Sequence, residues 1–156
     1  MTNQRYSKHI NGTACECLAA YYFTASGYTV SYPLDSFGEY DFIADDGEEQ
    51  RLRIQVKQIF YDRQKNRYSS SLVSSQYRNG HKYNKKYEEG SFDLFAFVCP
   101  EYNAIYIIPL TELLNRRTLT FYLDRPQIGH IHSHPNFERY RRELIKLNNV
   151  ILRIVE

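Results

Sequence analysis

Four residues have types and spacing suited to phosphoester chemistry. Gln55 and Lys57 stand two apart, so on a strand both side chains leave one face while Val56 leaves the other. Asp41 precedes them across Asp46-Gly47, a tight hairpin signal. Folding the later run back along the earlier one brings Asp41 to the edge that carries Gln55 and Lys57. Glu16 interrupts an otherwise small and apolar segment, Ala14-Cys15-Glu16-Cys17-Leu18-Ala19-Ala20. A carboxylate and a neighbouring oxygen ligand hold a hard divalent cation, typically Mg²⁺, that keeps several of its waters. Such a cation polarises a phosphodiester and lowers the pKa of a bound water, and an adjacent lysine orients that water or stabilises phosphorane-like charge. Each residue also has a plainer use: a solvated helix glutamate, a strand-opening aspartate, or a lysine with a partner. Glu39, on the same strand face as Asp41, is a rival ligand.

The elements that must position these groups follow from periodicity. Ile10, Ala14, Leu18 and Tyr22 recur at four-residue spacing, joined by Ala19 and Phe23, and predict a helix over 7–26. Gly27 sits where a left-handed C-terminal cap belongs. Strands are expected over 28–33, 40–45 and 52–60, the last two forming the hairpin. Residues 61–90 are polar, basic and tyrosine-rich and read as a long loop, with a short strand at Leu72-Val73. The wholly apolar run 92–98 reads as a buried central strand that pairs with 104–108. A short helix is expected over 111–117, an edge strand over 119–123, a basic helix over 137–147 and a last strand over 150–155. The expected fold class is therefore α/β (α+β), with a mixed central sheet flanked by helices, in a single domain over 1–156. Its core spans about 8–110, and a basic extension covers about 116–156.

Composition narrows the setting. The chain has 156 residues, enough to bury a core without staples. Its three cysteines are an odd number, and no secretory leader pattern opens it, so a reducing, cytoplasmic location is expected. Cys15 and Cys17 face apart on a helix, which makes a zinc pair improbable; both, with Cys99, are expected as buried free thiols. No segment has the ~20 apolar residues of a membrane helix. Tyrosine occurs 15 times and tryptophan never. The net charge of +2 conceals segregation: residues 35–50 carry seven acids and no Lys or Arg, while 51–89 carry ten bases and three acids. A compact acidic site beside broad basic surface suits a protein acting on nucleic acid.

The run Gly12 … Glu16 … Gly27-Tyr28-Thr29-Val30 … Pro33 … Glu39-Tyr40-Asp41 … Arg53-Ile54-Gln55-Val56-Lys57 resembles the PD-(D/E)XK nuclease superfamily. More narrowly, it resembles the small intron-encoded homing endonucleases in which glutamine replaces the acidic residue of the D/E-x-K pair. The resemblance spans residues 8–110, with Tyr40 in the place of the motif's proline. It implies a restriction-endonuclease-like core and Mg²⁺-dependent cutting of duplex DNA to 3′-hydroxyl and 5′-phosphate ends, with Mn²⁺ as a substitute cation. Carried over by position, Asp41 is the main metal ligand, Gln55 offers its amide oxygen, Lys57 acts on the attacking water, and Glu16 binds a second metal or its waters. The neutral Gln55 holds Mg²⁺ less strongly than a carboxylate, which leaves open a site relying more on Glu16, or a degenerate one.

The basic, aromatic stretch after the Gln-x-Lys strand is the expected DNA contact. It offers Arg63, Lys65, Arg67, Tyr68, Gln76, Arg78, Asn79, His81, Lys82, Lys85 and Lys86. Lys and Arg engage phosphates, while Arg, Asn and Gln read base edges. His130-Ile131-His132-Ser133-His134 resembles the zinc core of JAMM-type metalloproteases, but no aspartate follows Asp124, so the third ligand is missing. These histidines are read as DNA-facing or interface residues. A domain this size is about 40 Å across and covers roughly a dozen base pairs. Cutting both strands of a long site therefore calls for a homo-oligomer, a dimer or dimer of dimers. A Holliday-junction resolvase-like nuclease and a non-catalytic DNA-binding module are the alternatives.

Overall fold

The computed structural model describes residues 4–34, 38–78, 81–121, 123 and 137–145, with the backbone alone for 4–10, 76–78 and 82. The chain opens with helix α1 (Gln4–Ala25). Its buried stripe is Cys15, Ala19, Ala20 and Phe23, one register away from the expected one, and Ala14 is exposed. Small residues on that stripe let the helix lie close to the sheet. Gly27, at φ +96°, ends it: Gly27 N–H donates to Thr24 O and Tyr28 N–H to Phe23 O, both at 3.0 Å, with the two rings 5.6 Å apart. Cys17 is exposed rather than buried, while Cys15 and Cys99 are buried free thiols, the former pushed up to about 11 by burial.

Strands β1 (Thr29–Ser31), β2 (Phe42–Asp45) and β3 (Arg51–Gln58) follow as an antiparallel meander. The β2–β3 connection is a five-residue loop over 46–50 rather than a two-residue turn. Two aspartates are spent on the loop: Asp46 Oδ1 accepts from the backbone of Glu48 and Gln50, and Asp45 holds both Gly47 N–H and Arg51.

The region expected as a loop is largely strand. β4 (Phe60–Asp62) and β5 (Arg67–Ser71) form one hairpin, and β6 (Val73–Arg78) and β7 (His81–Lys86) form a separate two-stranded ribbon. β8 (Leu94–Cys99) then runs parallel to β3, and β9 (Ala104–Pro109) turns back beside it as expected. β10 (Thr118–Phe121) pairs with β5. Where a helix was expected over 111–117 there is a 3-10 turn, Leu110–Glu112, and Asn115 at φ +70° stands inside the expected span. Another 3-10 turn, Phe137–Tyr140, leads into β11 (Arg141–Glu143), where the basic helix was expected. β11 joins the central sheet beside β9, so part of the supposed extension belongs to the core.

The order of the central sheet is β1-β2-β3-β8-β9-β11. Alternation along its strands makes two cores. Ile54, Val56, Ala96, Val98 and Ile105 pack under α1, while Phe95, Phe97, Tyr106 and Ile108 face the opposite cluster with Tyr68, Leu119, Phe121 and Phe137. The mixed α+β sheet is as expected; among the described residues it is covered by one α-helix on one face and by small strands and 3-10 turns on the other, where more than one helix was expected. The stretch 130–134 and the expected strand 150–155 lie outside the described residues.

Candidate active site

β2 starts at Phe42, opposite Ile54, and β3 runs four residues further to Gln58 without β2 beside it. That overhang leaves a short stretch of β3 edge that β2 does not pair. Asp41, just before β2, occupies it. Its N–H donates to Ile54 O at 2.8 Å, and its Oδ2 accepts from Val56 N–H and from Gln55 Nε2, both at 2.6 Å. The Gln55 amide nitrogen also donates to Val56 O at 3.2 Å, which fixes which end of the amide faces Asp41. Pointing the amide oxygen there would set it against a carboxylate and a carbonyl.

The electrostatics converge on the same spot. Burial pushes the Asp41 carboxyl above the ordinary range, opposed by the Val56 N–H bond and the charge of Lys57. Burial likewise lowers Lys57, opposed by Asp41. Glu16 on α1 is raised first by burial and then by the negative charge of Asp41. Glu16 is thus within electrostatic range of Asp41, on the helix that covers one face of the sheet, while Lys57 lies by Tyr87 on the other face. All four residues expected to do chemistry are half-buried. Glu39, the rival ligand, is engaged elsewhere: it forms a 2.8 Å ion pair with Lys85 on the ribbon, which holds its carboxyl below the usual range.

The donors suit a hard cation. Among the described residues no three His, Cys, Asp or Glu side chains gather as a metal cluster, so two carboxylates and the Gln55 amide are the available set. Two half-buried carboxylates, one of which raises the other, are relieved by a cation between them, and all three groups offer oxygen. As a ligand Gln55 would have to present its oxygen in place of the nitrogen it now turns to Asp41.

Sequence reasoning missed Tyr87. Its ring centroid lies 5.3 Å from Lys57 Nζ, and its hydroxyl is raised by burial and by Asp41 and Glu39. No local pattern marks it; the parallel pairing of β3 with β8 brings it there. Arg53 pins the same region, donating to Asp93 through a two-pronged contact and to Gly90 O at 2.8 Å.

The expected DNA-contact residues fall on two hairpins. Arg63 and Lys65 lie exposed at the β4–β5 turn with Arg67 at the start of β5, and His81, Lys85 and Lys86 are exposed on β7. Gln76 and Arg78 occupy ribbon positions opposite Tyr83 and His81, and Lys82 lies opposite Tyr77. Asn79 lies outside the described residues. Tyr68 departs from expectation: it is 7% exposed, stacked edge-on to Tyr102 with the hydroxyls 3.0 Å apart, and so belongs to the core.

The chain as a whole is similar to known proteins. The family model described as PD-(D/E)XK endonuclease matches residues 6–143. Protein 5.3 of Escherichia phage T7 is 30% identical over 95 residues, covering 60% of this chain and 75% of that protein. In structure, the chain is similar to a bacterial homing endonuclease, I-Ssp6803I, with a TM-score of 0.73 at 18% identity, over 86% of this chain and 88% of that one.

Proposed function

The chain belongs to the PD-(D/E)XK endonuclease family, and from that premise we propose that it is a metal-dependent, site-specific double-strand DNA endonuclease of the homing type. The observation that carries this reading is the Asp41 carboxylate, held between Val56 N–H and the Gln55 amide, with Lys57 and Glu16 in its field. Asp41, Glu16 and Gln55 would hold a divalent cation, Mg²⁺ or Mn²⁺. When bound, it supplies charge neutralisation at the scissile phosphate and a water of lowered pKa. Lys57 lies on the same strand face as Gln55, where its ammonium hydrogen-bonds the attacking water and offsets phosphorane charge. The water oxygen bonds to phosphorus, the P–O3′ bond breaks, and the leaving oxygen takes a proton, giving 3′-hydroxyl and 5′-phosphate ends. Duplex DNA is bound by the exposed bases of the β4–β5 turn and the β6–β7 ribbon, a two-stranded element of the kind the major groove admits. The neutral Gln55 favours a second reading, a DNA-binding module without cleavage.

The test is cleavage of linear duplex genomic DNA and of four-way junctions by wild type and Lys57→Ala, with Mg²⁺ and with chelator. Discrete duplex breaks, absent with Lys57→Ala or chelator, are expected. Cutting confined to junctions would replace site specificity with junction resolution, and binding without cutting would leave the module.

A further inference from the structure

Tyr87 is the residue at which the ribbon re-enters the core, directly after β7. Its ring is clamped edge-on against Phe92 and Phe95, with centroids 5.0 and 5.5 Å away. Phe92 and Phe95 are themselves 2% and 1% exposed, so the ring cannot swing aside without opening the larger core. Lys57 lies above the ring face, on the side of β3 that meets this cluster. A lysine stem of four rotatable bonds has many conformers, and Asp41 alone attracts the ammonium without choosing among them. The negative face of an immobile ring does choose, because it favours the cation over its centre and blocks the space beneath.

We propose that Tyr87 is a positioning residue that fixes the Lys57 ammonium beside Asp41 by presenting its ring face to it. Tyr87 touches Lys57 and neither substrate nor reacting atoms. The kinetic consequence rests on the nuclease reading, whereas the geometry does not, so the two are tested separately.

The geometric arm uses ¹³C-lysine-labelled protein, with the Lys57 ε-methylene signal assigned by its loss in Lys57→Met. The ring current of Tyr87 is expected to shift that signal upfield; Tyr87→Phe keeps the shift and Tyr87→Leu abolishes it. Should the Leu variant fail to fold, Tyr87→Met fills similar volume without an aromatic face. A shift that survives in the Leu or Met variant overturns the proposal. The kinetic arm measures single-turnover cleavage of duplex DNA in Mg²⁺ or Mn²⁺. Tyr87→Leu should slow cleavage by about five- to thirtyfold with the Kd for duplex unchanged, and Tyr87→Phe should restore most of the rate. Equal losses in Phe and Leu variants, or wild-type rates in both, overturn it. A wild type that cuts no DNA while the ring-current pattern holds removes the nuclease reading and leaves the positioning geometry in place.

Discussion

Asp41 is held in two ways at once: its Oδ2 is saturated by two short hydrogen bonds, and its burial still favours the protonated form. A raised carboxyl gives the fold a contribution present below the unfolded-state pKa of about 4 and lost as pH rises through the folded value. Lys57, lowered by burial, gives one present above its unfolded-state pKa of about 10.5 and lost as pH falls through the folded value. Across neutral pH the metal-free site therefore strains the fold. Asp41→Asn, whose side-chain oxygen still accepts from Val56 N–H, should abolish cleavage yet raise the metal-free Tm at pH 7 by about 2–4 °C. That gain should vanish near pH 4, and melts across pH 4–8 check it. Asp41, Gln55 and Lys57 were legible because strand alternation assigns faces from spacing alone. Tyr87 was not, since its place depends on a parallel pairing between β3 and β8, and register between strands separated by residues 59–93 leaves no local trace.

Local signals and tertiary packing part company at the scale of elements. The helix, its glycine cap, the first three strands and the β8–β9 hairpin each advertise themselves by period or turn chemistry. β5 hides because Tyr68 is its one apolar buried position: Ser69 and Ser70 are 3% and 1% exposed, buried between β4 and β10. Small hydroxyl residues in a row read as loop until a neighbour on each side completes the backbone ladder. β11 reads as basic helix because its alternation is too short to register against the charges around it. The two hairpins after β3 carry the expected phosphate contacts, with Lys65 60% exposed at one turn and Lys86 exposed on the other. Replacing Lys65 and Lys86 together with alanine should make the slope of log K against log salt shallower by about 2, with cleavage at saturating protein unchanged. Fluorescence anisotropy of a labelled duplex between 50 and 200 mM salt, roughly the range over which such contacts weaken, reads that slope.

For the molecule as a whole, size bears on stoichiometry. On the nuclease reading, a chain covering roughly a dozen base pairs with one candidate site among its described residues calls for a second copy to cut the opposite strand, and we propose a homo-oligomer. The proposed homo-oligomer should sediment with at least two chains per duplex, and the rate of double-strand breakage should rise more steeply than first order in protein concentration; monomer behaviour in both would remove the proposal. Among the described residues no helix is long and apolar enough to cross a membrane. The exposed side chains Tyr21, Tyr32, Leu34, Phe60 and Tyr61 would be available to contacts between copies of the chain in the proposed oligomer. The parallel pair β3–β8 has its own consequence. Both hairpins lie in a single excursion that leaves the sheet after Gln58 and returns at Leu94, with its return clasped by Arg53 through Gly90 and Asp93 and its departure by the Ile59 N–H bond to Val98 O. Between those two anchorages lies the proposed recognition surface, fastened a third time where β5 pairs with β10 and buries Tyr68. Retargeting by exchange of that segment would have to keep the β5–β10 ladder and Tyr68, and set an aromatic ring back under Lys57.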